Sequence, residues 1–86
     1  MRASHILVST KEQVDAILAE ANALNFGTLA QQHSSCPSKA RGGDLGDFGP
    51  GQMVKPFEDA TQATPVGSIS QPVQTQFGWH LIHRTA

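Results

Sequence analysis

The four histidines and single cysteine of this 86-residue chain are the side chains best suited to acid–base, nucleophilic or metal chemistry. His33-x-x-Cys36 has the spacing of two metal ligands. A structural zinc site wants four ligands in paired spacings, however, and no second tight pair completes this one. His80 and His83 stand three apart in a stretch that alternates like a strand, so they should face opposite ways. No metal and no cofactor are expected. A lone Cys36 with distant histidines has the generic make-up of a thiol nucleophile. On these residues alone a small packing residue in a loop is the better reading, because a reactive thiol needs an activating environment and none is evident in the neighbouring residues. The run Arg41-Gly42-Gly43-Asp44-Leu45-Gly46-Asp47-Phe48-Gly49 is glycine-rich, but it matches no nucleotide-binding pattern and its two aspartates would repel phosphate. Tight turns around a short strand account for those glycines.

Residues 3–8 form a short apolar run and read as a buried strand. From Lys11 to Leu24 the apolar residues Val14, Ile17, Leu18, Ala21 and Leu24 recur in steps of three and four, which predicts an amphipathic helix. Thr10 with Gln13, or Ser9 with Glu12, has capping-box spacing at its start. Thr28 with Gln31 offers a second box for a short helix to about His33, and a single helical turn fits residues 38–41. A strand over 44–48, a turn at Gly49-Pro50-Gly51 and a helix from Pro56 to about Ala63 follow, the last opened by proline and acidic residues. Strands over 69–73 and 79–84 close the chain as a hairpin. The order β-α-α-α-β-α-β-β predicts a small α+β domain spanning 1–86.

Net charge is −1, with both signs interspersed, which argues against a nucleic-acid face or a polybasic membrane anchor. The apolar stretches are far shorter than the ~20 residues a spanning helix needs. No signal-peptide pattern is evident at the start, and one cysteine allows no internal disulfide; both fit a cytoplasmic protein.

Five segments, taken together, resemble the parvulin-type peptidyl-prolyl cis/trans isomerases: Ser4-His5-Ile6-Leu7; Cys36-Pro37-Ser38; Arg41-Gly42-Gly43-Asp44-Leu45-Gly46; Gly51-Gln52-Met53-Val54-Lys55-Pro56-Phe57; and Thr75-Gln76-Phe77-Gly78-Trp79-His80-Leu81-Ile82. They occur in the family's order and spacing across essentially the whole chain. The resemblance implies a four-stranded antiparallel sheet wrapped by about four helices, with the active site on the sheet's concave side. It also implies that His5 and His80 are the family's paired histidines on adjacent central strands, and that Cys36 stands where members carry Cys or Asp. Leu45, Met53 and Phe57 would line the pocket for the substrate proline. Thr75 would hydrogen-bond into the histidine pair, Phe77 would lie at the rim, and Gln52 would meet the substrate backbone. Each has a plainer reading: a structural histidine pair, ordinary core for Met53 and Phe57, a strand end for Thr75.

The resemblance implies rotation of X-Pro bonds in proline-containing polypeptides, assisting their folding. A module that holds proline segments without turning them over is the alternative. Phosphate-selective members carry a basic cluster after the first strand. Here that link is Ser9-Thr10-Lys11 followed by Glu12, a poor site for a dianion, so uncharged residues before proline are expected. A monomer is expected, with Lys11, Lys39, Arg41 and Lys55 as the basic residues available for weak surface contact.

Overall fold

The computed structural model describes every residue from Met1 to Ala86. Strand β1 (Arg2–Val8) is followed by helices α1 (Lys11–Glu20) and α2 (Phe26–His33), a 3-10 helix (Pro37–Arg41) and strand β2 (Asp44–Asp47). Helix α3 (Lys55–Ala63), strand β3 (Val73–Thr75) and strand β4 (Gly78–Arg84) complete the chain. The sheet order is β2-β1-β4-β3, and every pairing is antiparallel. The four-stranded α+β architecture expected from sequence is therefore present, with three α-helices and one 3-10 helix.

Side chains alternate across the two central strands, and this gives the sheet two unlike faces. Ile6, Val8 and Leu81 point to one face and pack with Val14, Ile17, Phe26, Leu29 and Ala30 from α1 and α2. Ala3 and Ile82 point to the other and meet Phe48 and Phe57 in a smaller cluster beside α3. His80 and His83 separate as expected: His80 lies against Phe57, whereas His83 lies against Phe26 on the opposite face. The strands are joined at the chain ends as well, since Arg2 N–H donates to the Ala86 carbonyl and the Thr85 and Ala86 N–H groups donate to the Arg2 carbonyl.

Several boundaries differ from the sequence reading. Thr10 and Gln13 do form the capping box that opens α1. The helix stops at Glu20, however, and Leu24 is 97% exposed instead of joining the apolar face. A pair of asparagines ends it: Asn22 Oδ1 accepts from Leu24 and Asn25 N–H, while the Asn25 amide donates to the Glu20 carbonyl. Helix α2 then begins at Phe26 without a side-chain cap, so the box expected at Thr28 does not form; Phe26 is drawn into the core.

The strand expected over 69–73 is displaced to Val73–Thr75. Pro72 has no N–H to give a ladder. At the interruption Ser70 substitutes for backbone, its hydroxyl oxygen accepting from Ile82 N–H at 3.1 Å. Ile69 retains a single bridge to His83. Of the basic residues noted in the sequence, Lys11 pairs with Asp15 and Lys55 with Asp59 along their own helices.

Candidate active site

His5 is opposite Ile82 in the β1–β4 register, which makes His80 its diagonal neighbour on the same face. Their Nδ1 atoms are 3.0 Å apart, and His80 Nε2 lies 2.7 Å from Thr75 Oγ1. The Phe77 N–H donates to that same Oγ1 at 3.1 Å. Thr75 reaches His80 because a two-residue turn, Gln76-Phe77, brings β3 back against β4, with Thr75 paired to Gly78. A side chain at Gly78 would come within 2.5 Å of the Val8 carbonyl oxygen, so the turn requires glycine.

Both imidazoles are buried. Burial, reinforced by the neighbouring His80, pushes the pKa of His5 down to about 4; burial also pushes His80 to about 4. The pair is therefore neutral at neutral pH, and the Nδ1–Nδ1 bond holds one proton. If His80 Nδ1 carries it, Thr75 donates to His80 Nε2 and His5 keeps its proton on Nε2. If His5 Nδ1 carries it, His80 Nε2–H donates to Thr75 and His5 Nε2 is bare. The three side chains thus share one coupled proton arrangement. His5 Nε2 has no protein partner in either case.

Above the pair opens a cavity of about 450 Å³. Phe57 sets its inner wall, edge-on to both His5 and His80 with ring centroids 5.5 and 5.2 Å away. Leu45, Met53 and Val54 extend that wall from the small cluster. Leu7, Pro37 and Phe77 also line the cavity, with Ser35, Cys36 and Gln52 as its polar or polarisable members. No Asp, Glu, Lys or Arg lines it.

All nine residues singled out in the sequence therefore lie at one place, but in different relations to it. Cys36 lines the cavity outside the hydrogen-bonded chain of His5, His80 and Thr75. Phe57 is both cavity wall and core, being 3% exposed. Gln52 has its carbonyl engaged at home, accepting from Gly49 N–H at 2.7 Å. Phe77 is 61% exposed.

The sequence reading missed Leu7, Val54, Ser34 and the particular role of Gly43. Leu7 was findable, since it is two residues from His5 and a strand repeats its facing with period 2. Ser34 had no sequence signal. Its hydroxyl oxygen accepts from Leu7 N–H (3.0 Å) and Cys36 N–H (3.3 Å), and Ser35 N–H donates to the Leu7 carbonyl, stitching the Cys36 loop to the end of β1. Gly43 accepts from His5 N–H through its carbonyl at 2.9 Å. With φ at +84°, it approaches β1 so closely that a Cβ would fall 2.3 Å from the His5 oxygen.

Residues 5–86 match the family described as Rotamase, PPIC-type PPIASE domain. The chain is 47% identical over 87 residues to a foldase protein PrsA of Geobacillus sp. (strain WCH70), covering 99% of this chain and 32% of that protein. It is 59% identical over 61 residues to a peptidyl-prolyl cis-trans isomerase Pin1 of Digitalis lanata, covering 71% of this chain and 52% of that one. The chain thus spans about a third to a half of these relatives' lengths. The solution structure of NmPin, the parvuline of Nitrosopumilus maritimus, superposes with a TM-score of 0.85 at 41% identity, over 100% of this chain and 95% of that one. By its matched residues, its sheet order and its likeness to these proteins, the chain belongs to the PPIC-type rotamases, the parvulin family of peptidyl-prolyl cis/trans isomerase domains.

Proposed function

We propose that this domain rotates X-Pro bonds preceded by uncharged residues, in unfolded or flexible polypeptides whose folding it assists. The observation that carries the reading is a cavity with no charged side chain in its lining, floored by a neutral histidine pair. Rotation about the X-Pro bond faces a barrier of about 18–20 kcal/mol because the C–N bond is partly double. No bond is broken, so no nucleophile is needed. Leu45, Met53 and Phe57 hold the proline ring while the preceding carbonyl swings. Taking the amide out of water favours the twisted state, which has lost its resonance charge separation. His5, His80 and Thr75 present fixed dipoles where the carbonyl turns, and Cys36 contributes a soft, uncharged surface. Gln52 keeps its NH₂ available for the substrate backbone, and Phe77 offers an apolar rim.

The preference for uncharged residues is supported by the absence of a cation in the cavity lining and by Lys11, next to the β1–α1 link, being paired with Asp15 at 2.9 Å. A free Cys36 is compatible with a reducing cytoplasm. Few large apolar side chains are exposed, which suits a monomer.

The test is NMR exchange spectroscopy on an unphosphorylated Ala-Leu-Pro-Phe peptide with catalytic amounts of the domain. Faster cis/trans exchange, weakened about tenfold in Met53→Ala and retained in Cys36→Ala, is expected. Shifted peptide resonances without faster exchange would replace turnover by simple binding of proline segments. Tighter binding of a phosphoserine-proline peptide would overturn the stated preference.

A further inference from the structure

Met53 and Gln52 reach the cavity from a loop, residues 49–54, that belongs to neither β2 nor α3. Two of its hydrogen bonds are internal: Gly49 N–H to Gln52 Oε1 at 2.7 Å and Gln52 N–H to the Gly49 carbonyl at 3.3 Å. Bonds of that kind travel with the loop and do not fix its height above the sheet. The contact that ties the loop's tip to α3 is different. Gly51 N–H donates to Glu58 Oε1 at 2.7 Å, seven residues along the chain.

Packing does not do this work at the tip. Gly51 is exposed, and beyond its own chain neighbours no atom lies within 4 Å of the place its Cβ would occupy. Its φ of +84° aims the N–H at the helix in a conformation only glycine adopts readily. Glu58 is free for the task, because the neighbouring Lys55 pairs with Asp59 instead. It also follows Phe57 directly, and Phe57 is the wall that faces both histidines. One carboxylate therefore links the backbone two residues before Met53 to the backbone next to Phe57.

We propose that Glu58 is a positioning residue whose carboxylate latches the 49–54 loop to α3 and so sets the width of the pocket between Met53 and Phe57. This rests on the reading that the cavity seats the substrate proline. With the latch gone, the closed pocket is only part of the population, and apparent affinity drops by that fraction. A charge-assisted bond in a partly exposed place supports an increase in KM of about three- to tenfold, with kcat changed less than about twofold. A plain first-turn acid, acting only on the helix dipole, would alter stability and leave KM alone.

The experiment compares the 86-residue chain with Glu58→Ala, Glu58→Gln and Glu58→Asp. It reads KM and kcat from exchange on Ala-Leu-Pro-Phe, melting temperature, and hydrogen exchange at the Gly51 amide. Gln keeps an oxygen acceptor at the same reach and should stay within about twofold of the parent KM. Asp keeps the charge at the helix start but is one methylene too short, so it should raise KM as Ala does, with melting unchanged and Gly51 protection lost. Glu58→Asp retains a folded reference even where Glu58→Ala melts early. An unchanged KM in Glu58→Asp, or a Glu58→Gln as impaired as Glu58→Ala, would overturn the latch. Should the parent chain accelerate no exchange, the isomerase reading fails by itself. The dissociation constant of the same peptide, from shift titration of the same variants, then decides the latch by the same pattern.

Discussion

The two faces of the sheet are built from the same strands and perform opposite tasks. Under α1 and α2, eight buried apolar residues close against one another. Beside α3 the buried apolar cluster is half that size, and the rest of the face is given to two neutral imidazoles and an open cavity. Alternate residues of β1 and β4 thus supply cohesion on one side and an unfilled, uncharged pocket on the other. A chain this short buries only about 60% of its unfolded surface, so one face has to carry most of the stability.

The sharpest way to break that contrast is a matched pair of truncations. Leu81→Ala, on the closed face, should cost about 3 kcal/mol of stability, measured by urea unfolding, and leave the folded fraction active. Met53→Ala, half-buried at the pocket, should cost under about 1 kcal/mol yet lower kcat/KM about tenfold. Equal effects on both axes would mean that the faces are not divided in this way.

Acid provides the next test. Burial holds His5 and His80 at about 4 in the folded chain, against 6.5 for an unperturbed histidine. Between those values the unfolded state binds more protons, so stability falls as pH drops from about 6.5 to about 4 and is flat on this account above 6.5. Melting at pH 7.5 and 4.5 reads the effect before the Asp44 carboxyl takes part. Arg2 holds that carboxyl below its usual range, and its contribution is lost only at lower pH.

Two smaller changes sharpen the comparison. Arg84 donates from Nη1 to the Thr61, Gln62 and Thr64 carbonyls at 3.5, 3.4 and 3.2 Å, closing the C-terminal end of α3 from strand β4. Arg84→Ala should cost about 1–2 kcal/mol, or roughly 4–8 °C in Tm per kcal/mol, and loosen the pocket face. Thr10→Ala, which removes the capping box of α1 on the other face, should cost about 1 kcal/mol and leave peptide binding untouched.

Period and punctuation made much of this legible from sequence. The apolar run of β1, the alternation of β4, the Thr10–Gln13 cap and the proline opening α3 all follow from local rules. The errors came where side chains replaced backbone. Asn22 and Asn25 ended a helix whose apolar spacing ran on to Leu24, and the Ser70 hydroxyl bridged a ladder that Pro72 interrupts. The gathering of His5, His80 and Thr75 could be anticipated only through resemblance, since residues 75 apart in sequence meet by strand register, not by spacing. Ser34 and Gly43 act through backbone groups distant in the chain and Glu58 through one seven residues back, and nothing about their neighbours in sequence announces the partner.

The joining of Arg2 to Thr85 and Ala86 has a mechanical consequence. Both ends of the chain leave from the two adjacent central strands, at the same end of the β1–β4 ladder. Strands pulled apart by neighbouring ends open one hydrogen bond at a time, whereas strands pulled from opposite ends resist with all their bonds at once. Tension between the two ends would therefore peel β1 from β4 in order, Ala3 from Arg84, Ser4 from His83, then His5 from Ile82. The histidine pair would come apart under load while Val14, Ile17 and Phe26 still packed together. A short linker across the same gap would do the reverse, closing the chain into a ring that holds those rungs shut and leaves loops elsewhere free to supply new ends.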